Sequence, residues 1–169
     1  TKFALKCQDA GVDAVVAEGF EAGGHNGREE TTTLCLIPEV RKAIQIPLIA
    51  AGGIATGRSM FAVMALGAEG VQIGSRFVCT PEASAHINFK QAILEANEGD
   101  TRLSLKALTP VRLLKNKFAD DVLSAELSGS TTEELAELLG RGRAKKGMFE
   151  GDLEAGELEI GQVSAGITA

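Results

Sequence analysis

Pro47-Leu-Ile-Ala-Ala-Gly-Gly53 and Gly67-Ala-Glu-Gly-Val-Gln-Ile-Gly-Ser75 bracket one helical segment, and this succession sets the fold class. Each run is aliphatic or β-branched and too short for a helix, so each reads as a strand. The residues between them, from about Thr56 to Gly67, follow a helical period. A strand, a helix and a second strand at this spacing make a βαβ crossover, which implies a parallel sheet. Gly52, Gly53 and Gly74 then stand at the carboxyl ends of their strands. Without a Cβ, backbone N–H groups there can approach an anion closely, and phosphate is the anion such turns suit.

Upstream, Asp13-Ala-Val-Val-Ala17 reads as a buried strand, preceded by an apolar helical stripe of Phe3, Ala4, Cys7 and Ala10 that closes at Gly11. Alternating helices and strands predict an α/β fold. Between Glu18 and Thr33 runs a long polar loop with Gly19, Gly23, Gly24 and Gly27 around His25. It follows a strand, so it falls on the ligand side, and loops of this length in α/β units are commonly functional. The next helix is expected over Ile37 to Ile44, with Pro38 in its first turn. Beyond Phe77 the alternation stops. Helical stretches are expected at 82–96 and from Val111 to Leu127, and Ser130-Thr-Thr-Glu133 fits a capping box that opens a helix closing at Gly140. The expected organisation is therefore βα units over 1–80 and a helical cap or tail over 81–169. Arg141, Arg143, Lys145 and Lys146, followed by the acidic stretch from Glu150 to Glu159, read as a solvated loop with local charge compensation.

The 169 residues are 44% hydrophobic, enough for a sizeable core. A net charge of -6 argues against nucleic acid or an anionic membrane as partner, since both need a basic surface. Cys7, Cys35 and Cys79 are odd in number and lack metal-ligand spacing, so they read as reduced small hydrophobes. No apolar run approaches the roughly 20 residues of a membrane span, and no signal-peptide pattern is present. A cytoplasmic protein is expected. The chain begins inside a helical stripe at Thr1, which favours a piece of a longer polypeptide.

His25 is one of two histidines. Flanked by glycines, it has little local packing to make it a core residue, and neutral imidazole can give or take a proton near pH 7. His86 falls in a helical region and reads as a surface or capping residue. Glu18, Glu21, Glu29 and Glu30 lie in or near the same loop, yet their spacing with His25 gives no ligand set. No catalytic metal is expected.

Ala17-Glu-Gly-Phe-Glu-Ala-Gly-Gly-His-Asn-Gly27, Ile49-Ala-Ala-Gly-Gly-Ile54 and Gly67-Ala-Glu-Gly-Val-Gln-Ile-Gly-Ser-Arg-Phe77 together resemble the FMN-dependent nitronate monooxygenases, also called 2-nitropropane dioxygenases. They are similar as well to the related FMN-dependent enoyl-acyl-carrier-protein reductases. The resemblance covers essentially the whole chain. It implies the C-terminal part of a TIM (β/α)8 barrel, namely its last three strands, plus a C-terminal helical segment. It implies FMN as cofactor, with flavin-binding positions at Glu18, Gly23, Gly24, Gly52, Gly53, Gln72, Ile73, Gly74 and Ser75, and a catalytic histidine at His25. The family usually has Thr at Ser75, which keeps the hydroxyl, and often Gln at Glu18, where a carboxylate beside a reduced, anionic flavin needs a bond or a proton. Gln162, in Gly161-Gln-Val-Ser164, resembles a C-terminal element that returns toward the flavin.

The activity so implied is oxidation of alkyl nitronates with O2 to a carbonyl compound and nitrite. In the reductase alternative, NAD(P)H supplies electrons for an enoyl thioester and His25 polarises the carbonyl or supplies a proton. A third reading is a non-catalytic flavin- or phosphate-binding fragment. The expected ligand is a small-molecule substrate. Three parallel strands cannot close a barrel, so their edges call for the missing half of the barrel or for a homo-oligomer.

Overall fold

The computed structural model describes residues 1–168. In chain order the elements are α1 (Lys2–Asp9), β1 (Val15–Glu18), β2 (Gly24–His25), α2 (Thr33–Ala43), β3 (Leu48–Ala51), α3 (Gly57–Ala65), β4 (Gly70–Gln72) and α4 (Ser75–Val78). There follow α5 (Ile87–Leu94), β5 (Thr101–Ser104), β6 (Val111–Leu114), α6 (Lys117–Leu127), α7 (Thr132–Leu139), α8 (Arg143–Met148) and a 3-10 turn over Gln162–Gly166. The chain divides into two compact units, one of residues 1–22 and 29–73, the other of residues 23–28 and the chain from Gly74 onward.

The first unit is the predicted parallel α/β layer. Its sheet has the order β1-β3-β4, in register Glu18↔Ala51 and Ala51↔Gln72. Val15 and Ala17 point to a core of Ile37, Val40, Ile44, Leu48, Ala50 and Val63, while Val16 faces the other way, 49% exposed. Burying such aliphatic side chains is the main drive for this layer, at roughly 25 cal/mol per Å² of apolar surface. α3 starts as its sequence predicts: Thr56 Oγ1 accepts from Ser59 N at 3.1 Å, and Ser59 Oγ accepts from Thr56 N at 3.0 Å. α2 begins earlier than expected, at Thr33 instead of Ile37, so Pro38 lies inside the helix. A proline there removes one backbone hydrogen bond, and packing of Ile37 and Val40 into the core compensates.

The second unit departs further from the sequence expectation. Val111–Leu114, read as helical, is strand β6, at the centre of an antiparallel sheet ordered β2-β6-β5. A four-residue apolar run does not distinguish strand from helix by period. Here Leu103↔Arg112 and Ser104↔Val111 pairing settles it, and the helix starts only at Lys117, capped by Asn116 Oδ1 accepting from Ala119 N at 2.9 Å. The expected helix over 82–96 shortens to Ile87–Leu94, with His86 as its N-cap accepting from Asn88 N at 3.1 Å. The capping box lies one residue later than expected: Thr131 Oγ1 accepts from Glu134 N at 3.2 Å, and Glu134 Oε2 from Thr131 N at 2.8 Å. β6 and the helices α6 and α7 share a core of Leu105, Val111, Leu113, Phe118, Val122 and Leu135. The last third is thus a mixed sheet and helix layer, and not helical throughout.

Candidate functional site

In the first unit the parallel register places Glu18, Ala51 and Gln72 in one row at the carboxyl ends of their strands. The chain leaves β3 through Gly52 and Gly53, at φ +87° and +71°, a backbone that only glycine adopts without strain. A Cβ on Gly52 would lie 2.6 Å from the Gly19 carbonyl oxygen. Two residues to which the sequence reading gave no role hold this turn. Thr33 donates its backbone N–H to Glu21 Oε2 at 2.9 Å, and its hydroxyl lies 3.0 Å from the same oxygen and 2.9 Å from the Gly52 carbonyl oxygen. The carboxylate of Glu21 therefore occupies the N-terminus of α2, as helix ends favour. The backbone N–H of Gly53 meets no acceptor among the described residues.

Glu18 is exposed at the end of β1, and the protein packed on one side of its carboxyl raises its pKa by desolvation. Gln72 is exposed and Ile73 half-buried.

In the second unit the polar loop contains a strand that the sequence did not reveal. β2 pairs with β6 through Gly24↔Arg112 and His25↔Val111. Asn26 N then donates to the Pro110 carbonyl oxygen at 2.8 Å, and Arg28 Nη1 to that of Lys106 at 3.3 Å. The backbone of His25 is fixed by this ladder while its side chain stays exposed.

Gly23 is pressed against the C-terminal segment: a Cβ there would lie 2.4 Å from the Ile160 carbonyl carbon. Gly161, next in that segment, donates its N–H to Ser75 Oγ at 3.0 Å. This unit thus gathers Gly23, Gly24, Ser75 and Gly161, with Gln162 exposed just beyond. Gly74 has an unpaired N–H among the described residues, and a Cβ on it would meet nothing within 4 Å.

The acidic stretch is only partly the solvated loop its composition suggests. Lys145 pairs with Glu150 at 3.2 Å and Lys146 with Asp152 at 3.1 Å, but Glu157 is buried. The alternation Glu157-Leu-Glu-Ile160 was the available signal of an extended segment. Cys7 and Cys35 are exposed and Cys79 half-buried, all three with free thiols. Among the described residues no cluster of three His, Cys, Asp or Glu could hold a metal ion, and no helix is long and apolar enough to cross a membrane.

Within the second unit the residues suit a phosphate-bearing cofactor such as FMN: the Gly74 N–H meets no acceptor among the described residues, the Ser75 hydroxyl keeps its proton available because its oxygen is the acceptor toward Gly161, and the space beside Gly74 is open.

The family model described as nitronate monooxygenase matches residues 1–169. A Bacillus subtilis protein named "Probable nitronate monooxygenase" is 45% identical over 126 residues, covering 70% of this chain and 36% of its own length. The solved structure of FabK from Thermotoga maritima is 41% identical with a TM-score of 0.91, covering 98% of this chain and 52% of that one. A nitroalkane oxidase from Streptomyces ansochromogenes is 32% identical with a TM-score of 0.76, covering 98% and 50%. The chain thus spans about half the length of these structures and about a third of the Bacillus relative.

Proposed function

Because this chain belongs to the nitronate monooxygenase family, we propose that it carries the histidine and part of the cofactor site of an FMN-dependent enzyme that oxidises alkyl nitronates with O2 to a carbonyl compound and nitrite. The observation that carries this reading is His25: an exposed imidazole whose backbone is immobilised by the β2–β6 ladder. A base or anion-binding group must be held in place yet reach a substrate.

In the second unit the Gly74 N–H and the Ser75 hydroxyl serve the cofactor's phosphate as donors. Gly52, Gly23 and Gly24 let the chain itself pack closely at the site, Gly52 on Gly19, Gly23 on Ile160 and Gly24 on Glu159. Gln72 offers an amide that both donates and accepts, and Ile73 an apolar surface. Glu18, whose carboxyl pKa is raised by desolvation, stands in the same row as Gln72 at the strand ends. FMN, when bound, supplies the electron-transfer chemistry. His25 holds the anionic nitro group of the nitronate or takes up a proton from the substrate.

The likeness to FabK, at a TM-score of 0.91, favours one second reading, reduction of an enoyl thioester with NAD(P)H. There His25 would polarise the thioester carbonyl or give a proton, so the histidine alone does not separate the two reactions. A non-catalytic flavin-binding fragment is separated from both by turnover. Incubating the FMN-loaded protein with propyl nitronate in air and assaying nitrite tests the proposal. Nitrite formed in step with propanal supports it, and absence of nitrite from flavin-loaded protein overturns it.

A further inference from the structure

Gly19 and Gly52 meet backbone to backbone where β1 and β3 end: Gly19 N donates to the Ala51 carbonyl oxygen at 2.9 Å, and a Cβ on Gly19 would lie 2.1 Å from Thr33 Oγ1 and 2.5 Å from Glu21 Oε2. Into the space these glycines leave, the chain places one carboxylate and one hydroxyl. Both oxygens of Glu21 accept from Thr33 N, at 3.1 and 2.9 Å. The Thr33 hydroxyl lies 2.9 Å from the Gly52 carbonyl oxygen, 3.0 Å from Glu21 Oε2 and 3.3 Å from the Ala51 carbonyl oxygen. Thr33 is 5% exposed. A buried hydroxyl that faces only acceptors is anchored as a donor.

The carbonyl it meets belongs to an unusual peptide. Gly52 and Gly53 stand at φ +87° and +71°, and no Cβ on either side resists a flip of the peptide that joins them. In a trans peptide the C=O and the next N–H point in opposite directions. Fixing the Gly52 carbonyl oxygen on Thr33 therefore aims the Gly53 N–H away from the clamp. That N–H and the next one, of Ile54, meet no acceptor among the described residues. Ile54 is buried, 4% exposed, and a buried N–H is almost always paired, so the two donors point to an acceptor supplied by a ligand.

We propose that Thr33, itself held by Glu21, is a positioning residue for the cofactor: its hydroxyl locks the Gly52–Gly53 peptide so that the Gly53 N–H faces an acceptor oxygen of the flavin nucleotide. Without the lock the peptide is free to turn its carbonyl toward the ligand, which replaces a donor by a repelling acceptor. Glu21 acts one step further back, because its two accepting oxygens fix the backbone from which the hydroxyl extends. This inference rests on the flavin reading above.

The test titrates FMN into the cofactor-free protein, in the longest form its gene encodes, and follows quenching of flavin fluorescence. Thr33→Val keeps the shape and removes the hydroxyl, and it is expected to raise the Kd for FMN roughly three- to tenfold. Thr33→Ser restores the hydroxyl and should bind within about twofold of the parent. Glu21→Gln puts an amide N–H₂ against the Thr33 donor and should weaken FMN by a similar factor. Val63→Ala, a truncation in the core of the same unit, lowers stability without touching the turn and should leave the Kd unchanged. A parental Kd in Thr33→Val overturns the inference. So does a Kd raised equally in Val63→Ala, which would make the effect general softening of the unit, or a failure of Thr33→Ser to restore binding. A parent protein that takes up no FMN overturns the cofactor reading itself.

Discussion

Gly161 donates its backbone N–H to the Ser75 hydroxyl oxygen at 3.0 Å. This bond ties the C-terminal Gly161-Gln162 element to the start of α4 and fixes which way the hydroxyl can act. With its oxygen accepting from Gly161, its proton is left for a ligand oxygen.

Ser75→Ala should therefore weaken FMN binding by about tenfold, near 1.4 kcal/mol, the loss of one hydrogen bond to a charged group. Ser75→Thr keeps the hydroxyl and should bind like the parent. Quenching of flavin fluorescence on titration reads both, and equal affinity in Ser75→Ala would contradict the role given to this side chain.

Gly52 and Gly74 should respond in opposite ways to a methyl group. At Gly52, φ is +87° and the new Cβ would sit 2.6 Å from the Gly19 carbonyl oxygen, so Gly52→Ala is expected to cost about 2 kcal/mol or more in urea unfolding. At Gly74, φ is -100° and nothing lies within 4 Å. Gly74→Ala should leave stability within about 0.5 kcal/mol and lower FMN affinity instead.

His25→Asn should leave thermal stability and FMN uptake near parental, because the side chain is exposed. Turnover should fall by roughly 10²–10⁴. Steady-state kinetics beside a flavin absorbance spectrum separates loss of chemistry from loss of cofactor.

Glu157 gives a pH signature in stability. Its folded pKa is raised above the ordinary 4.5, mainly by burial. The folded state thus holds the proton to higher pH than the unfolded chain, and stability falls as pH climbs past 4.5 through the folded value. Below that window both states are protonated and the penalty is absent. Glu157→Gln should accordingly be more stable than the parent at pH 7.5 and indistinguishable from it near pH 4, as urea unfolding at the two pH values would show.

The parallel layer was legible in the sequence because its strands are aliphatic runs ending in glycine and its helix α3 begins with a Thr-Gly-Arg-Ser cap. β2 was not, since two residues carry no period, and Gly24-His25 is a strand only because β6 lies beside it. Val111–Leu114 misled for the same reason: a four-residue apolar run takes its conformation from its neighbours. The glycines and His25 stood out by local chemistry. The Glu21–Thr33 clamp and the burial of Glu157 depend on contacts distant in sequence, and acidic composition suggested solvent for the latter.

The most direct test of the proposed activity mixes the FMN-loaded protein anaerobically with propyl nitronate and, in separate shots, with NADH or NADPH, following flavin absorbance by stopped flow. Rapid bleaching by the nitronate alone is the expected result. Bleaching by a nicotinamide with no response to the nitronate would contradict nitronate oxidation and assign the chain to an enoyl-thioester reductase.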